Sequence, residues 1–151
     1  MSELVHILNG PNLNLLGRRE PDTYGRTTLA DIERRCHAAA ARLGLRVDFR
    51  QRNEEGALVA DIHDAIEAGS GGIIINAAAY THTSIAIHDA LRAFDGLIIE
   101  VHLSNIHARE SFRHRSLIAP LADGIIAGLG ADGYELALQA LAWRLIEHMD
   151  A

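Results

Sequence analysis

Glu100 and His102 stand two residues apart inside a short, mostly apolar run, Leu97-Ile98-Ile99-Glu100-Val101-His102. In a β-strand alternate side chains share a face, so carboxylate and imidazole would meet on one side. Imidazole changes charge near neutral pH, and an adjacent carboxylate orients and charges it. Such a pair can hand a proton to a leaving group. Just downstream come Leu103-Ser104-Asn105, then Arg109 and Arg113. Two other segments have comparable chemical content. Asn12, Arg18, Arg19 and Tyr24 fall between Gly10 and Arg26, and Asn76 opens a stretch continuing Ala79-Tyr80-Thr81-His82-Thr83-Ser84.

These segments can work together only if the surrounding elements bring them together. Leu4–Asn9 reads as a first strand, followed by a long loop to Arg26. A helix from Thr27/Thr28 to just before Gly44 carries Leu29, Ile32, Cys36, Ala39, Ala40 and Leu43 at spacings of three and four, one buried stripe. Leu45, Val47 and Phe49 alternate with Arg46, Asp48 and Arg50, a half-exposed edge strand. A second helix spans about 57–68, with Leu58, Ile62, Ala65 and Ile66 expected inward. Gly72–Asn76 is a β-branched run suited to a strand covered on both faces. A helix over about 84–93, the Leu97–His102 strand, a strand at Gly124–Ala127 and a last helix from Tyr134 to His148 complete the chain. This alternation predicts an α/β flavodoxin-like fold, a five-stranded parallel sheet of order 2-1-3-4-5 with helices on both faces. Ligands in such sheets sit beyond the carboxyl ends of the strands where the order reverses. The loops beginning at Gly10, Ala77 and Leu103 are therefore expected to crowd one cleft.

Composition narrows the chemistry. The 151 residues suit one domain, 1–151, and all 14 basic residues are arginine. Without lysine there is no Schiff base, no pyridoxal-phosphate anchor and no P-loop lysine. A net charge of −6 argues against a nucleic-acid partner. The single cysteine, Cys36, sits on the helix stripe, so core packing and a cytoplasmic location are expected. Met1-Ser2-Glu3 does not begin a signal peptide, and no apolar run approaches the ~20 residues of a membrane span. The 9 histidines show no metal-ligand spacing, so no metal is expected; His102, His107 and His114 are only loosely grouped. A flavin- or nucleotide-binding protein is the main rival on this fold. Gly128-Leu129-Gly130-Ala131-Asp132-Gly133 does match G-x-G-x-x-G. It lacks the acidic residue about 20 positions on, and its glycines suit a tight strand-to-helix turn. A phosphorelay receiver is rejected, since the third strand ends in Asn76 and lysine is missing.

Asn9-Gly10-Pro11-Asn12-Leu13, Leu16-Gly17-Arg18-Arg19-Glu20-Pro21 and Tyr24-Gly25 resemble the N-terminal signature of the type II 3-dehydroquinate dehydratases. Asn76, Tyr80–Ser84, Glu100–Ile106, Arg109-Glu110, Phe112-Arg113, Gly128-Leu129-Gly130 and Gly133-Tyr134 extend that resemblance over essentially the whole chain. The resemblance implies loss of water from 3-dehydroquinate to give 3-dehydroshikimate through an enolate, with no cofactor and no metal. The reaction serves the shikimate pathway or quinate catabolism. It also implies a homo-oligomer, commonly a dodecamer of four trimers, with no nucleic-acid or membrane partner.

Roles follow by resemblance. Tyr24 is the base, kept ionised by Arg19 with help from Arg109, His102 is the acid, paired with Glu100, and Asn12 stabilises the enolate. The backbone of Leu103 and Ser104, with the Ser104 hydroxyl, takes the substrate carboxylate. Asn76, His82 and Arg113 take its hydroxyls, and Asp89 reaches a neighbouring subunit's site. The Gly10–Arg26 loop reads as a lid. Ala77-Ala78-Ala79 and His88 depart from the family pattern, and an alanine at 78 would be strained if the backbone there needs positive φ.

Overall fold

Five parallel strands form the centre of the molecule: β1 (Glu3–Asn9), β2 (Leu45–Gln51), β3 (Gly72–Asn76), β4 (Leu97–His102) and β5 (Gly124–Ala127), in the order β2-β1-β3-β4-β5. The computed structural model describes residues 2–18, 22 and 25–147. Among the described residues, four α-helices flank the sheet: α1 (Leu29–Leu43), α2 (Glu55–Glu67), α3 (Ile85–Arg92) and α4 (Asp132–Ala142). The flavodoxin-like expectation therefore holds in strand order and direction. The last helix follows its expected course with a change of pitch: α4 runs to Ala142 and continues as a π-helix over Trp143–Glu147, while His148 lies outside the described residues.

The strand pleat divides the core in two. Val5, Ile7, Ile74, Ile99 and Val101 face α1 and α4, where Cys36, Leu138 and Tyr134 pack. Leu8, Ile73, Ile75 and Ile98 face α2 and α3, against Leu58, Ile62, Ile87 and Leu91. Every residue of β3 is buried, as its unbroken β-branched run requires. Each fully buried isoleucine contributes roughly 1.5–3 kcal/mol.

Local signals set the ends of α1. Thr28 accepts from the Asp31 N–H while Asp31 accepts from the Thr28 N–H, a capping box, and Gly44 closes the helix at φ 77°. Burial pushes the Cys36 thiol up to about 12, so this cysteine packs and does not react. On α2 the expectation for Ile66 is corrected: it is exposed, whereas Asp61, on the same helix, is buried. Asp61 is tolerated there because Arg50 and Arg52, from β2 and the residue just after it, both pair with its carboxylate. The apolar period cannot show this, because the compensating charges arrive from another element.

Candidate active site

Three loop–strand junctions meet at the carboxyl edge of the sheet, around a cavity of about 250 Å³. The first is tied to the second through backbone: the Gly10 N–H donates to the Asn76 carbonyl at 2.8 Å. The approach is close enough that a Cβ at Gly10 would lie 2.3 Å from the Ala77 carbonyl oxygen, so only glycine fits. The loop after β1 then forms a 3₁₀ turn at Leu13–Leu15, anchored by buried Leu13 and Leu16. Asn12 precedes the turn in left-handed conformation, φ 69°, with its N–H donating to Asn53 Oδ1.

The second junction is held by a buried polar chain. Tyr134, fully enclosed on α4, donates to Asn9 Oδ1 at 2.6 Å and accepts from Asn76 Nδ2 at 3.0 Å. Asn76 Oδ1 in turn accepts from the Ala78 N–H. Burial raises the Tyr134 phenol well above its usual range, so it stays a neutral donor. This leaves Asn76 with one amide proton for the cavity it lines. Ala78 has φ 53°, the conformation the sequence flagged as costly for alanine. His82, at the end of the following 3₁₀ turn (Ala78–His82), places Nδ1 2.7 Å from the Arg115 carbonyl oxygen. A carbonyl only accepts, so Nδ1 carries the hydrogen, and Nε2 is the nitrogen left for the cavity.

The third junction ends β4. His102 lines the cavity, and its Nε2 lies 2.5 Å from Glu100 Oε2 on the same strand face. With the carboxylate accepting, Nε2 donates, and Nδ1 is the nitrogen left for a bound molecule. Glu100 itself is fully buried behind the imidazole and does not line the cavity. Leu103, Ser104, Arg109 and Arg113 do. Glu110 lies between the two arginines, 3.2 Å from Arg113 Nε and 3.8 Å from Arg109 Nε. Its carboxyl sits below the usual range, first through its own backbone N–H and then through Arg113.

The structure thus gathers Asn12, Asn76, His82, His102, Leu103, Ser104, Arg109 and Arg113 on one cavity wall, with Glu100 behind. Arg18 is a correction: it is exposed and does not line the cavity. Asp89 is exposed on α3, away from the cavity of its own chain. Arg19 and Tyr24 lie outside the described residues. His107 and His114 sit with ring centroids 6.1 Å apart, while His102 is engaged by Glu100 instead. His88 Nδ1 is 2.6 Å from the Leu117 carbonyl oxygen.

The glycine turn after β5 behaves as a turn. Gly128 and Gly130 take φ 91° and 60°, and their N–H groups donate to the His102 and Leu103 carbonyls. Committed to holding the end of β4, those amides are not a phosphate cradle. Sequence reasoning missed Ser116, whose hydroxyl contacts Glu100, and the part played by Asn9. Neither lies in a periodic pattern that points to the site, and the contacts form across 16 and 125 residues of chain.

A family model described as dehydroquinase class II matches residues 3–142. The chain is 64% identical over 146 residues to a 3-dehydroquinate dehydratase of Chelativorans sp., covering 96% of this chain and 100% of that one. It is 58% identical over 141 residues to one of Cereibacter sphaeroides, covering 93% and 95%. The crystal structure of type II dehydroquinase from Propionibacterium acnes superposes with a TM-score of 0.90 at 48% identity, covering 94% of this chain and 97% of that one. The crystal structure of type II dehydroquinase from Butyrivibrio crossotus gives 0.91 at 40% identity, covering 93% and 97%.

Proposed function

Since the chain belongs to the class II dehydroquinase family, we propose that it is a hydro-lyase removing water from 3-dehydroquinate to give 3-dehydroshikimate. The observation that carries this reading is the His102–Glu100 pair opening onto a cavity shared with Asn12, Ser104 and Arg113. A base takes the proton beside the ketone, and the electron pair moves onto the carbonyl oxygen as an enolate. Collapse of the enolate forms the ring double bond and expels the hydroxyl as water, with a proton supplied by His102 Nδ1. Glu100 stabilises the imidazolium that gives that proton.

Asn12 donates to the enolate oxygen, directly or through a water. The N–H groups of Leu103 and Ser104, with the Ser104 hydroxyl, receive the carboxylate, and Asn76, His82 and Arg113 receive the hydroxyls. His82 Nε2, which the Arg115 carbonyl does not engage, and the remaining Asn76 proton support that assignment. Tyr24, with Arg19 and Arg109, supplies the base, and the loop bearing it closes as a lid. Arg109 lining the same cavity supports its part. The residues 1–151 act as one catalytic domain without a cofactor or metal. The enzyme works in the cytoplasm, in the shikimate pathway or in quinate catabolism.

A homododecamer of four trimers, with Asp89 reaching a neighbouring site, completes the reading. Large apolar side chains left exposed, among them Ile85, Phe112 and Ile125, support burial against further copies. Among the described residues, no helix is long and apolar enough to cross a membrane.

The test is the rise in enone absorbance on adding 3-dehydroquinate to wild type and to His102→Ala. Wild type should turn over, and loss of the acid should slow it by about 10²–10⁴-fold. No absorbance change with wild type would remove the assignment.

A further inference from the structure

Glu100 is fully buried, yet its carboxylate is held through one oxygen. Oε2 accepts from His102 Nε2 at 2.5 Å and from Ser116 Oγ at 2.8 Å. Oε1 is buried and has no hydrogen-bond partner among the described residues. The orientation of the carboxylate therefore depends on what stands at Oε2 opposite the imidazole.

Ser116 is well arranged for that task. Its hydroxyl oxygen accepts two backbone N–H groups, from Ile118 at 3.1 Å and Ala119 at 3.0 Å, at the start of the 3₁₀ turn Ala119–Leu121. A hydroxyl has two acceptor sites and one proton. With both acceptor sites used, the proton has one direction left, toward Glu100. The flanking backbone is fixed as well: the Leu117 N–H donates to the Thr81 carbonyl at 2.8 Å, and the Arg115 carbonyl holds His82. Ser116 does not line the cavity and cannot touch a bound substrate.

We propose that Ser116 is a positioning residue that acts through Glu100, holding its carboxylate in line with His102 Nε2 so that Nδ1 faces the reacting molecule. The inference rests on the reading of His102 as the acid. A hydrogen bond to a charged acceptor is among the stronger ones. Its loss lets the carboxylate turn about its buried side chain, and the imidazole loses its fixed orientation.

The experiment measures kcat and KM for 3-dehydroquinate with Ser116→Ala, Ser116→Cys and Ser116→Thr, each also in a Glu100→Gln background. Alanine should lower kcat about tenfold or more and leave KM within about twofold, since the lost bond is a charge-assisted one remote from substrate. Cysteine keeps the shape but donates weakly, so it should fall with alanine, and threonine should restore turnover. In the Glu100→Gln background, Ser116→Ala should change kcat by less than about twofold, because the two residues act as one unit. The side-chain ¹⁵N and ¹H signals of His102 should show a strongly hydrogen-bonded Nε2–H in wild type and lose that signature in Ser116→Ala.

Wild-type turnover in Ser116→Ala or Ser116→Cys would overturn the role. So would an equal loss with and without Glu100, which marks a merely structural effect. If His102→Ala itself kept full turnover, the acid reading would fall with it. If His102→Ala is inactive and the serine variants are not impaired, only the Ser116 inference is lost.

Discussion

Removing one oxygen atom from Tyr134 should cost far more than its volume. In Tyr134→Phe, Asn9 Oδ1 loses a donor at 2.6 Å and Asn76 Nδ2 loses an acceptor at 3.0 Å. Neither asparagine can turn to recover. Asn9 Nδ2 is already committed to the Arg50 carbonyl, and Asn76 Oδ1 to the Ala78 N–H, so a flip trades one loss for another. Both side chains are buried at 0% and 3% exposure, so water does not replace the phenol. At about 1–3 kcal/mol per unsatisfied buried group, the two together predict a loss of about 2–6 kcal/mol.

Urea unfolding at pH 7 measures this as a fall in midpoint with the slope unchanged. The same reasoning fixes a pH dependence. Burial raises the folded-state value of this phenol above its ordinary 10.0, so above pH 10 the unfolded chain releases a proton that the folded chain keeps. The contribution of Tyr134 is therefore full below pH 10 and declines above it, by about 1.4 kcal/mol per pH unit. The gap between wild type and Tyr134→Phe should narrow over that window. A cost below about 1 kcal/mol at pH 7, or a gap that stays constant from pH 9 to pH 11, would refute the account of this network.

Two further outcomes follow from single residues. Ala78→Gly relieves a left-handed alanine at φ 53°, so it should raise stability by about 1 kcal/mol, read as a higher urea midpoint; a lower midpoint would contradict the strain argument. His6 is buried beneath Asp48, and desolvation outweighs that carboxylate and lowers its pKa. Below pH 6.5 the unfolded chain takes up a proton that the folded chain resists, so stability falls as pH drops through that region. His6→Leu should flatten this acid slope, and an unchanged slope would place the dependence elsewhere.

The elements were legible in the residues because their signals are local. The capping box and Gly44 bound α1, the β-branched run makes β3, and i, i+2 spacing puts Glu100 and His102 on one strand face. Parallel strands joined by helices then determine which loops can meet. Strain at residue 78 was readable only as a condition, from the departure of Ala77-Ala78-Ala79 from the family pattern, and the φ of 53° meets that condition. Ile66 was misplaced because it lies at one margin of the buried stripe and stays exposed, while Asp61, at the opposite margin, is buried with Arg50 of β2 as its partner. The amino-acid sequence by itself determined the strand order, the shared strand face of Glu100 and His102 and the family. Only the tertiary structure decided how those groups are aimed. Asn76 is set by Tyr134 across 58 residues of chain, His82 by the Arg115 carbonyl and Glu100 by Ser116. Such hydrogen bonds depend on distance and direction in space, and no spacing along the chain encodes either.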